Sequence, residues 1–341
     1  MPKTIESETV LTSDNSGITL DACEWLKSPL HKLVGRLENN QLHHGILLVA
    51  EGGSGEQLLA KALGKSILCQ QLSHHNACLK CKACLLFEAL SHPDFHEVTT
   101  DTTQIGVDAV RGAIEQVNQT AQLGANKVVL IQGIERMTES ASNALLKTLE
   151  EPSKHTFLVL STTAPQYLLA TIKSRCEKIR LNMPSYEQSL NFLKQYQTAN
   201  NLSFPLPDEA TLQAYKGSPL LYLANFDDEK MNFESFRRDF NALLAQTESV
   251  EDIANKWKDH AVNAVNWTSQ LSMQAFANAV KQSIDQSKAT VSIQSNKSRQ
   301  EVSGSQWMRV YDLATQSSKK LRQAGLNRVL ILSSLFASLP N

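Results

Sequence analysis

The 341-residue sequence lacks both a strong excess of charge and any long apolar run. Lys and Arg number 33 against 34 Asp and Glu, so no overall field favours nucleic acid or anionic lipid. No stretch approaches the roughly 18 consecutive apolar residues of a membrane-spanning helix. Residues 1–20 are rich in Ser, Thr, Glu and Asp and lack the apolar segment of a signal peptide. We therefore expect a mobile N-terminal extension on a cytoplasmic protein of two or three domains.

Cysteine is scarce, and most of it is concentrated in one segment. Four of the six cysteines share the spacing C-x8-C-x2-C-x2-C within sixteen residues: Cys69, Cys78, Cys81 and Cys84. Zn²⁺ takes four thiolates at about 2.3 Å, and C-x2-C steps can place sulfurs that close together. His74 and His75 lie inside the loop as rival ligands, but four thiolates already complete a closed site. The spacing predicts a structural zinc module over residues 69–84, the alternative being reduced surface thiols or a redox pair.

Strands alternate with helical patterns over the first half of the chain. Continuous apolar runs predict buried strands at residues 45–50, 127–131, 156–161 and 178–181. Apolar residues at helical spacing predict the intervening helices, one of them beginning at an N-cap on Thr138. Such alternation is typical of an α/β fold with a mostly parallel sheet and helices on both faces.

Helical patterns alone continue from residue 185 to the end of the chain. The acidic stretch 227–229 is predicted to be a linker, and the polar stretch 283–305 a long loop. A strongly apolar helix is expected over residues 326–339. The predicted domains are the extension at 1–20, an α/β core at 21–183, a small helical domain at 184–226 and a larger helical domain at 227–341.

The turn after the first predicted strand resembles a phosphate-binding loop that has lost its cation. Such loops read G-x-x-x-x-G-K-[ST], in which backbone amides hold phosphates, the Lys neutralises them and the hydroxyl holds magnesium. In this glycine loop, residues 50–57, the glycines Gly52, Gly53 and Gly55 remain. Glu56 takes the position of the Lys and Gln57 that of the hydroxyl. A Lys about 4 Å from a phosphate charge gains roughly 4 kcal/mol at a dielectric of about 20, and a Glu turns that gain into repulsion. We therefore expect no bound ATP.

The acidic half of a nucleotide site is also missing. ATPases of this kind carry acids at the end of a core strand to hold magnesium and orient water. After the strand predicted at 127–131 the chain has Gln132 and Gly133, and Glu135 is the nearest carboxylate. Two separate losses at one site predict a degenerate nucleotide site.

A single arginine precedes the last predicted strand, in the run Ser174-Arg175-Cys176. In multi-subunit ATPases an arginine finger at such a rim reaches the γ-phosphate of a neighbouring subunit and stabilises transition-state charge. The alternative is a salt-bridged surface arginine, which the residues by themselves favour.

Several of these stretches together resemble the clamp-loader branch of the AAA+ proteins. Three runs carry the resemblance beside the cysteines: GVDAVR at 106–111, NALLKTLEEP at 143–152 and SRC at 174–176. It covers residues 25–184 well and extends more weakly to the terminal helix. ATP-binding gamma/tau subunits keep the loop Lys and the acids, whereas the delta-prime type lacks them and keeps SRC and the cysteines. Leu221 stands near where an ATPase of the family places a phosphate-sensing Arg. The sequence is most similar to the delta-prime type.

The resemblance implies an AAA+ core, a small helical lid and an all-α collar, assembled in a pentameric ring with delta and gamma/tau subunits. Such a complex, part of the DNA polymerase III holoenzyme, uses ATP to load a sliding clamp onto primed DNA. This chain is then not an enzyme itself, and Arg175 serves in trans at the ATP site of a gamma/tau neighbour. Two alternatives remain: an active ATPase of gamma/tau type, and a zinc-dependent nucleic-acid-binding protein. ATP turnover by the isolated chain would favour the first, and tight, salt-dependent DNA binding the second.

Overall fold

The computed structural model describes residues 18–98, 104–226, 231–289, 304–321 and 325–340. The chain divides into two compact units, Met1–Ala224 and Asn225–Asn341. No helix within the described ranges combines the length and the apolar character needed to cross a bilayer. The division between core and lid that we predicted at residue 184 stays a prediction, because the first unit contains both segments.

The first unit alternates helices and strands and then becomes helical. In chain order its elements are α1 (Glu24–Glu38), β1 (Gly45–Val49), α2 (Glu56–Leu68), α3 (Lys82–Glu88), β2 (Phe95–Val98), α4 (Val107–Asn118), β3 (Lys127–Ile131), α5 (Glu139–Glu150), β4 (Thr156–Thr162), α6 (Ala170–Arg175), β5 (Glu177–Arg180), α7 (Tyr186–Asn200), α8 (Glu209–Ala214) and α9 (Pro219–Phe226), which ends just past the division. Short 3₁₀ turns occupy Leu20–Ala22, Ile134–Arg136 and Pro165–Tyr167.

The five strands form one parallel sheet in the order β2-β3-β4-β1-β5. Between β1 and β4, Gly45 lies opposite Leu158, and between β1 and β5, Ile46 lies opposite Glu177. Because all strands run the same way, every carboxyl end meets one edge of the sheet and every amino end the other. Loops that follow strands therefore gather at one edge, which the glycine loop occupies.

The core of the first unit lies on both faces of the sheet, as the apolar runs predicted. Successive residues of β3 alternate between the two sides: Val129 and Ile131 pack with α4 and α5, whereas Val128 and Leu130 pack with α1 and α2. A strand buried on both faces has no polar positions, which is why it reads as a continuous apolar run. The prediction of a parallel sheet covered on both faces is confirmed.

The second unit is helical throughout its described part. Its helices are α10 (Phe233–Leu244), α11 (Val250–Trp257), α12 (Ala261–Ala289), α13 (Gly304–Leu321) and α14 (Arg328–Phe336), with a 3₁₀ turn at Lys258–His260. Phe236 stands at the centre of its core, with ring centroids 5.1 Å from Trp257, 5.6 Å from Trp267 and 6.2 Å from Phe336. Aromatic pairs at such spacings stabilise beyond their buried area, and these pairs link α10 to three other helices, α11, α12 and α14. The apolar closing helix is buried on one face, while Leu330 is 68% exposed.

Three sequence predictions differ from the structure. The edge strand β2 was missed, because its sequence Phe-His-Glu-Val is four residues long and half polar. The loop predicted over 283–305 was wrong at both ends: α12 continues to Ala289 and α13 begins at Gly304. The sequence of this stretch is too polar to show an apolar periodicity. The predicted bound of the extension at residue 20 does not agree with the described residues, because Ile18 is buried and Leu20 begins a 3₁₀ turn. The linker predicted at 227–229 lies outside the described residues, as do residues 1–17 of the predicted extension and 290–303 of the predicted loop.

Candidate functional site

The glycine loop connects the carboxyl end of β1 to the first turn of α2. Its turn depends on two glycines, because Gly53 has φ +87° and Gly55, the N-cap of α2, has φ +90°. Residues with a Cβ adopt such angles only at a cost. The local geometry is therefore that of a strand, a tight turn and a helix, the arrangement in which helix N-terminal amides can face an anion.

Side chains of the same unit cover this loop. The indole N–H of Trp25 donates to the carbonyl of Ser54 at 2.8 Å, and the Ser218 hydroxyl donates to the carbonyl of Gly53 at 2.7 Å. A Cβ added to Gly53 would lie 2.5 Å from Cγ of Leu221, which shows how closely the first turn of α9 approaches. Gly53 and Ser54 are consequently buried. The space beside these glycines is filled by protein.

Glu56 is buried rather than directed into solvent. Its residue is 3% exposed, and the hydroxyl of Ser54 donates to its Oε2 at 3.3 Å. It lies in the first turn of α2, where the helix dipole stabilises negative charge. The carboxylate thus occupies the end of the helix that would stabilise an anionic ligand.

The acid positions at the end of β3 are taken by an amide and a glycine, as the sequence shows. The Gln132 side chain donates to Oε1 of Glu97 at 2.7 Å, and Nζ of Lys61 lies 3.7 Å from Oε2 of the same carboxylate. Glu135 accepts from the hydroxyl of Thr163 at 3.0 Å. Glu97 comes from the missed strand β2, so sequence reasoning did not place a carboxylate here. An ammonium and an amide engage it.

Arg175 lies at the opposite edge of the sheet. It is the last residue of α6, and its carbonyl oxygen would be 3.3 Å from a Cβ on Gly45, the first residue of β1. The glycine loop follows the other end of β1, which has five residues. At about 3.3 Å per residue the first and last residues of β1 are about 13 Å apart. Arg175 therefore cannot reach the glycine loop of its own chain.

The four predicted ligand cysteines converge on one point. Their Sγ atoms all lie within 4.8 Å of one another, with Cys69 and Cys81 at 4.0 Å and Cys78 and Cys84 also at 4.0 Å. Four sulfurs at about 2.3 Å from a central zinc would be about 3.8 Å apart, so the donor set fits a tetrahedral ion. The four cysteines can hold a metal ion.

Backbone amides support thiolates in this cysteine cluster. The amide of Cys78 donates to Sγ of Cys69 at 3.2 Å, and that of Cys81 to Sγ of Cys78 at 3.3 Å. The pKa of Cys78 is lowered to about 6, first by a hydrogen bond from the amide of Lys80 and further by that from the amide of Cys81. Burial raises the pKa of Cys69 and of Cys84, and a bound cation would favour their thiolate forms.

The remaining candidate ligands and thiols are placed elsewhere. Nδ1 of His75 lies 2.5 Å from the Glu38 carboxylate, and His74 is exposed; neither belongs to the group of donors that the structure brings together. Burial raises the pKa of Cys23 to about 12 and that of Cys176 to about 11. Those two cysteines are therefore neutral core residues at physiological pH.

Comparison with known proteins gives consistent matches. A family model described as DNA polymerase III, delta subunit, matches residues 25–185. A DNA polymerase III subunit delta′ from Haemophilus influenzae is 36% identical over 71% of this chain and 73% of its own length. The subunit delta′ of Pseudomonas aeruginosa is 32% identical over 94% of this chain and 98% of its own length. The chain belongs to the DNA polymerase III subunit delta′ family.

The resemblance that the sequence motifs indicated for this delta′ family member is thus confirmed. Among solved structures, a DNA polymerase III gamma subunit-related protein from Thermotoga maritima aligns over 90% of this chain and 97% of that chain. Its identity is 20% and its TM-score 0.48, a likeness too distant to carry an argument about function.

Two residues that shape the glycine loop of the delta′ chain were not predicted to do so. These residues are Trp25 and Ser218, and neither was among the predicted site residues. The available signal was Ser218 immediately before Pro219, since a hydroxyl residue followed by proline is typical of a helix start. Nothing local indicated that this helix start lies against a loop 165 residues earlier.

Proposed function

We propose that this delta′ family member is a clamp-loader subunit that does not hydrolyse ATP itself. The filled glycine loop is the observation that carries the proposal. A phosphate would have to displace Leu221 from Gly53 and share the first turn of α2 with the buried Glu56 carboxylate. Gln57 and Gln132 supply neutral amides where phosphate-loop ATPases hold magnesium with a hydroxyl and a carboxylate. Binding of nucleotide therefore meets both a steric and an electrostatic obstacle.

We propose further that Arg175 acts in trans. Its position at the edge of the sheet away from the glycine loop supports this role, because the side chain cannot serve its own chain. Its side chain is 34% exposed, which leaves it accessible to a neighbouring subunit. A guanidinium there would stabilise the charge that develops on a γ-phosphate during hydrolysis. The arginine would contribute to catalysis although its own chain is not an ATPase.

The partners follow from this assignment. The chain would assemble with delta and with ATP-binding gamma/tau subunits in a pentameric ring, with its first unit as an AAA+ core and lid and its second as a collar. The complex would place a sliding clamp on primed DNA in the cytoplasm, where bacterial DNA is replicated. Zinc in the cysteine cluster would be structural, because four protein ligands leave no position for water or substrate.

The test is a reconstitution with the ATP-binding subunits, followed by clamp- and DNA-stimulated ATPase measurements. The isolated chain should show no turnover, and the complex with Arg175→Ala should assemble normally but lose a large part of its ATPase. At the one site that Arg175 serves, the loss of an arginine finger costs about 10³- to 10⁵-fold, while sites served by other subunits continue. Arg180→Ala is a matched control, because Arg180 is exposed at the other end of β5.

Unchanged ATPase in an intact Arg175→Ala complex would reject the role in trans. Turnover by the isolated chain would instead favour an active ATPase of gamma/tau type. Tight DNA binding by the isolated chain, with a steep salt dependence, would favour the zinc-dependent nucleic-acid-binding alternative.

A further inference from the structure

We infer that Glu150 is a positioning residue for Arg175: its carboxylate holds the guanidinium at the sheet edge in the orientation that a neighbouring phosphate meets. The inference rests on the proposed role of Arg175 in trans. Oε1 of Glu150 lies 2.5 Å from Nη2 of Arg175, while Nη1 donates to the carbonyl of Thr171 at 3.0 Å. The guanidinium is thus held from two sides by different helices, α5 and α6.

The contacts with Glu150 and Thr171 leave part of the Arg175 guanidinium available to bind a ligand. An arginine has five N–H donors in a fixed plane. Nη1 is used by Thr171 and, at 3.4 Å, by Ser174, and Nη2 is used by Glu150. Among the described residues no acceptor engages the Nε–H. One donor edge therefore remains for oxygen atoms of a ligand while the group stays oriented.

The location of Glu150 is unfavourable for its own helix. It is the last residue of α5, where the helix dipole presents its negative end and disfavours a carboxylate. Glu151 follows it with a second negative charge, and Pro152 ends the helix. Of the two carboxylates, Glu150 is the one that pairs with Arg175. Helix stability thus does not explain a glutamate at this position, whereas pairing with the arginine does.

The backbone around Glu150 and Arg175 is tightly packed, which holds in place the positions from which the two side chains extend. A Cβ on Gly45 would lie 2.9 Å from Cδ2 of Leu149 and 3.3 Å from the carbonyl oxygen of Arg175. The ring of His44 contacts the carbonyl of Leu149 at 2.9 Å. The ends of α5 and α6 are therefore packed closely against the start of β1.

The expected effect is moderate, because both partners are partly exposed. The side chain of Glu150 is 49% exposed and that of Arg175 is 34% exposed. Exposed pairs of this kind couple weakly, so loss of Glu150 should lower turnover at the site that Arg175 serves by about two- to fivefold. The decrease should appear in kcat and leave the KM for ATP unchanged. The reason is that an oriented Arg175 would stabilise the transition state rather than bound ATP.

The experiment compares reconstituted complexes that carry Glu150→Ala, Glu150→Gln, Arg175→Ala or the double variant Glu150→Ala/Arg175→Ala. Glu151→Ala is the matched control, since it removes a neighbouring carboxylate that pairs with no described residue. Size-exclusion chromatography first checks that each complex assembles. We expect Glu151→Ala to match the wild type, Glu150→Gln and Glu150→Ala to lose kcat, and the double variant to equal Arg175→Ala.

The outcomes separate the two claims. If Arg175→Ala lowers turnover but both Glu150 variants match Glu151→Ala, the positioning role is wrong and the finger stands. If the double variant loses clearly more than Arg175→Ala alone, Glu150 acts independently of the arginine and the inference is also wrong. If Arg175→Ala has no effect, the proposed role of Arg175 in trans fails, and the positioning role of Glu150 fails with it. Should Glu150→Ala not assemble, Glu150→Gln, which keeps size and an acceptor oxygen, decides the question.

Discussion

Substituting lysine for Glu56 would restore the residue type of a working phosphate loop, yet the structure predicts that it damages the fold. Glu56 is almost fully buried at the N-terminus of α2 and accepts from Ser54. Glu56→Lys replaces an anion by a cation at the positive end of a helix dipole. The substitution also removes the hydrogen bond that the Glu56 carboxylate accepts from the hydroxyl of Ser54. A single substitution of this kind should therefore not recover nucleotide binding.

The magnitude follows from three contributions. Loss of a favourably placed, partly buried carboxylate at a helix terminus costs up to about 2 kcal/mol. Loss of the bond with Ser54 adds about 1 kcal/mol. A lysine ammonium with no partner is costly to bury, so it loses its proton or forces the loop open, which adds about 1 to 2 kcal/mol. We expect Glu56→Lys to reduce the free energy of unfolding of the first unit by about 3 to 5 kcal/mol.

The assay is urea denaturation of the full chain, followed by far-UV circular dichroism and by hydrogen exchange of peptides from α2. The control is Glu51→Lys, the same charge change on an exposed residue of the same loop, which should stay within about 0.5 kcal/mol of the wild type. Melting with Mg-ATP completes the test. A ligand at 100 times its Kd stabilises by about 2.7 kcal/mol, an easily measured shift. If Glu56→Lys is as stable as the wild type and ATP raises its Tm, our account of the filled loop is refuted.

Two further predictions concern stability in the first unit. Purified chain should contain about one zinc per molecule, and a chelator should increase hydrogen exchange of residues 69–88 while α10 to α14 stay protected; metal analysis without zinc would contradict this. Lys127→Met should destabilise the unit by about 2 to 4 kcal/mol in urea, because Nζ donates to the carbonyls of Val117 and Gln119 and to Oγ of Ser153. Lys154→Met, on an exposed lysine, is its control, and an equal loss in both variants would refute the role of the buried bonds.

Much of the fold was predictable because its signals are local. A strand such as β3, buried on both faces, is a continuous apolar run, and its predicted range agrees with the structure. The N-cap on Thr138 is likewise confirmed, since its hydroxyl accepts from the amide of Ala141 at 3.2 Å. The edge strand β2 escaped because it has only four residues and the middle two, His96 and Glu97, are polar, so it shows neither a continuous apolar run nor a regular alternation.

The candidate sites divide in the same way. Residue types and spacing were enough to pick out the four cysteines, the absence of a lysine from the glycine loop and Arg175 as a candidate arginine finger. Each of these features lies in a short run of sequence. Only the tertiary structure decided that Ser218 and Leu221 fill the loop, that Glu150 holds Arg175, and that the arginine and the loop lie at opposite edges of one sheet. Those relations join residues that are distant in the chain. The packing of helices on a parallel sheet decides whether such residues are close together or far apart. Local periodicity does not indicate which helix ends will be in contact.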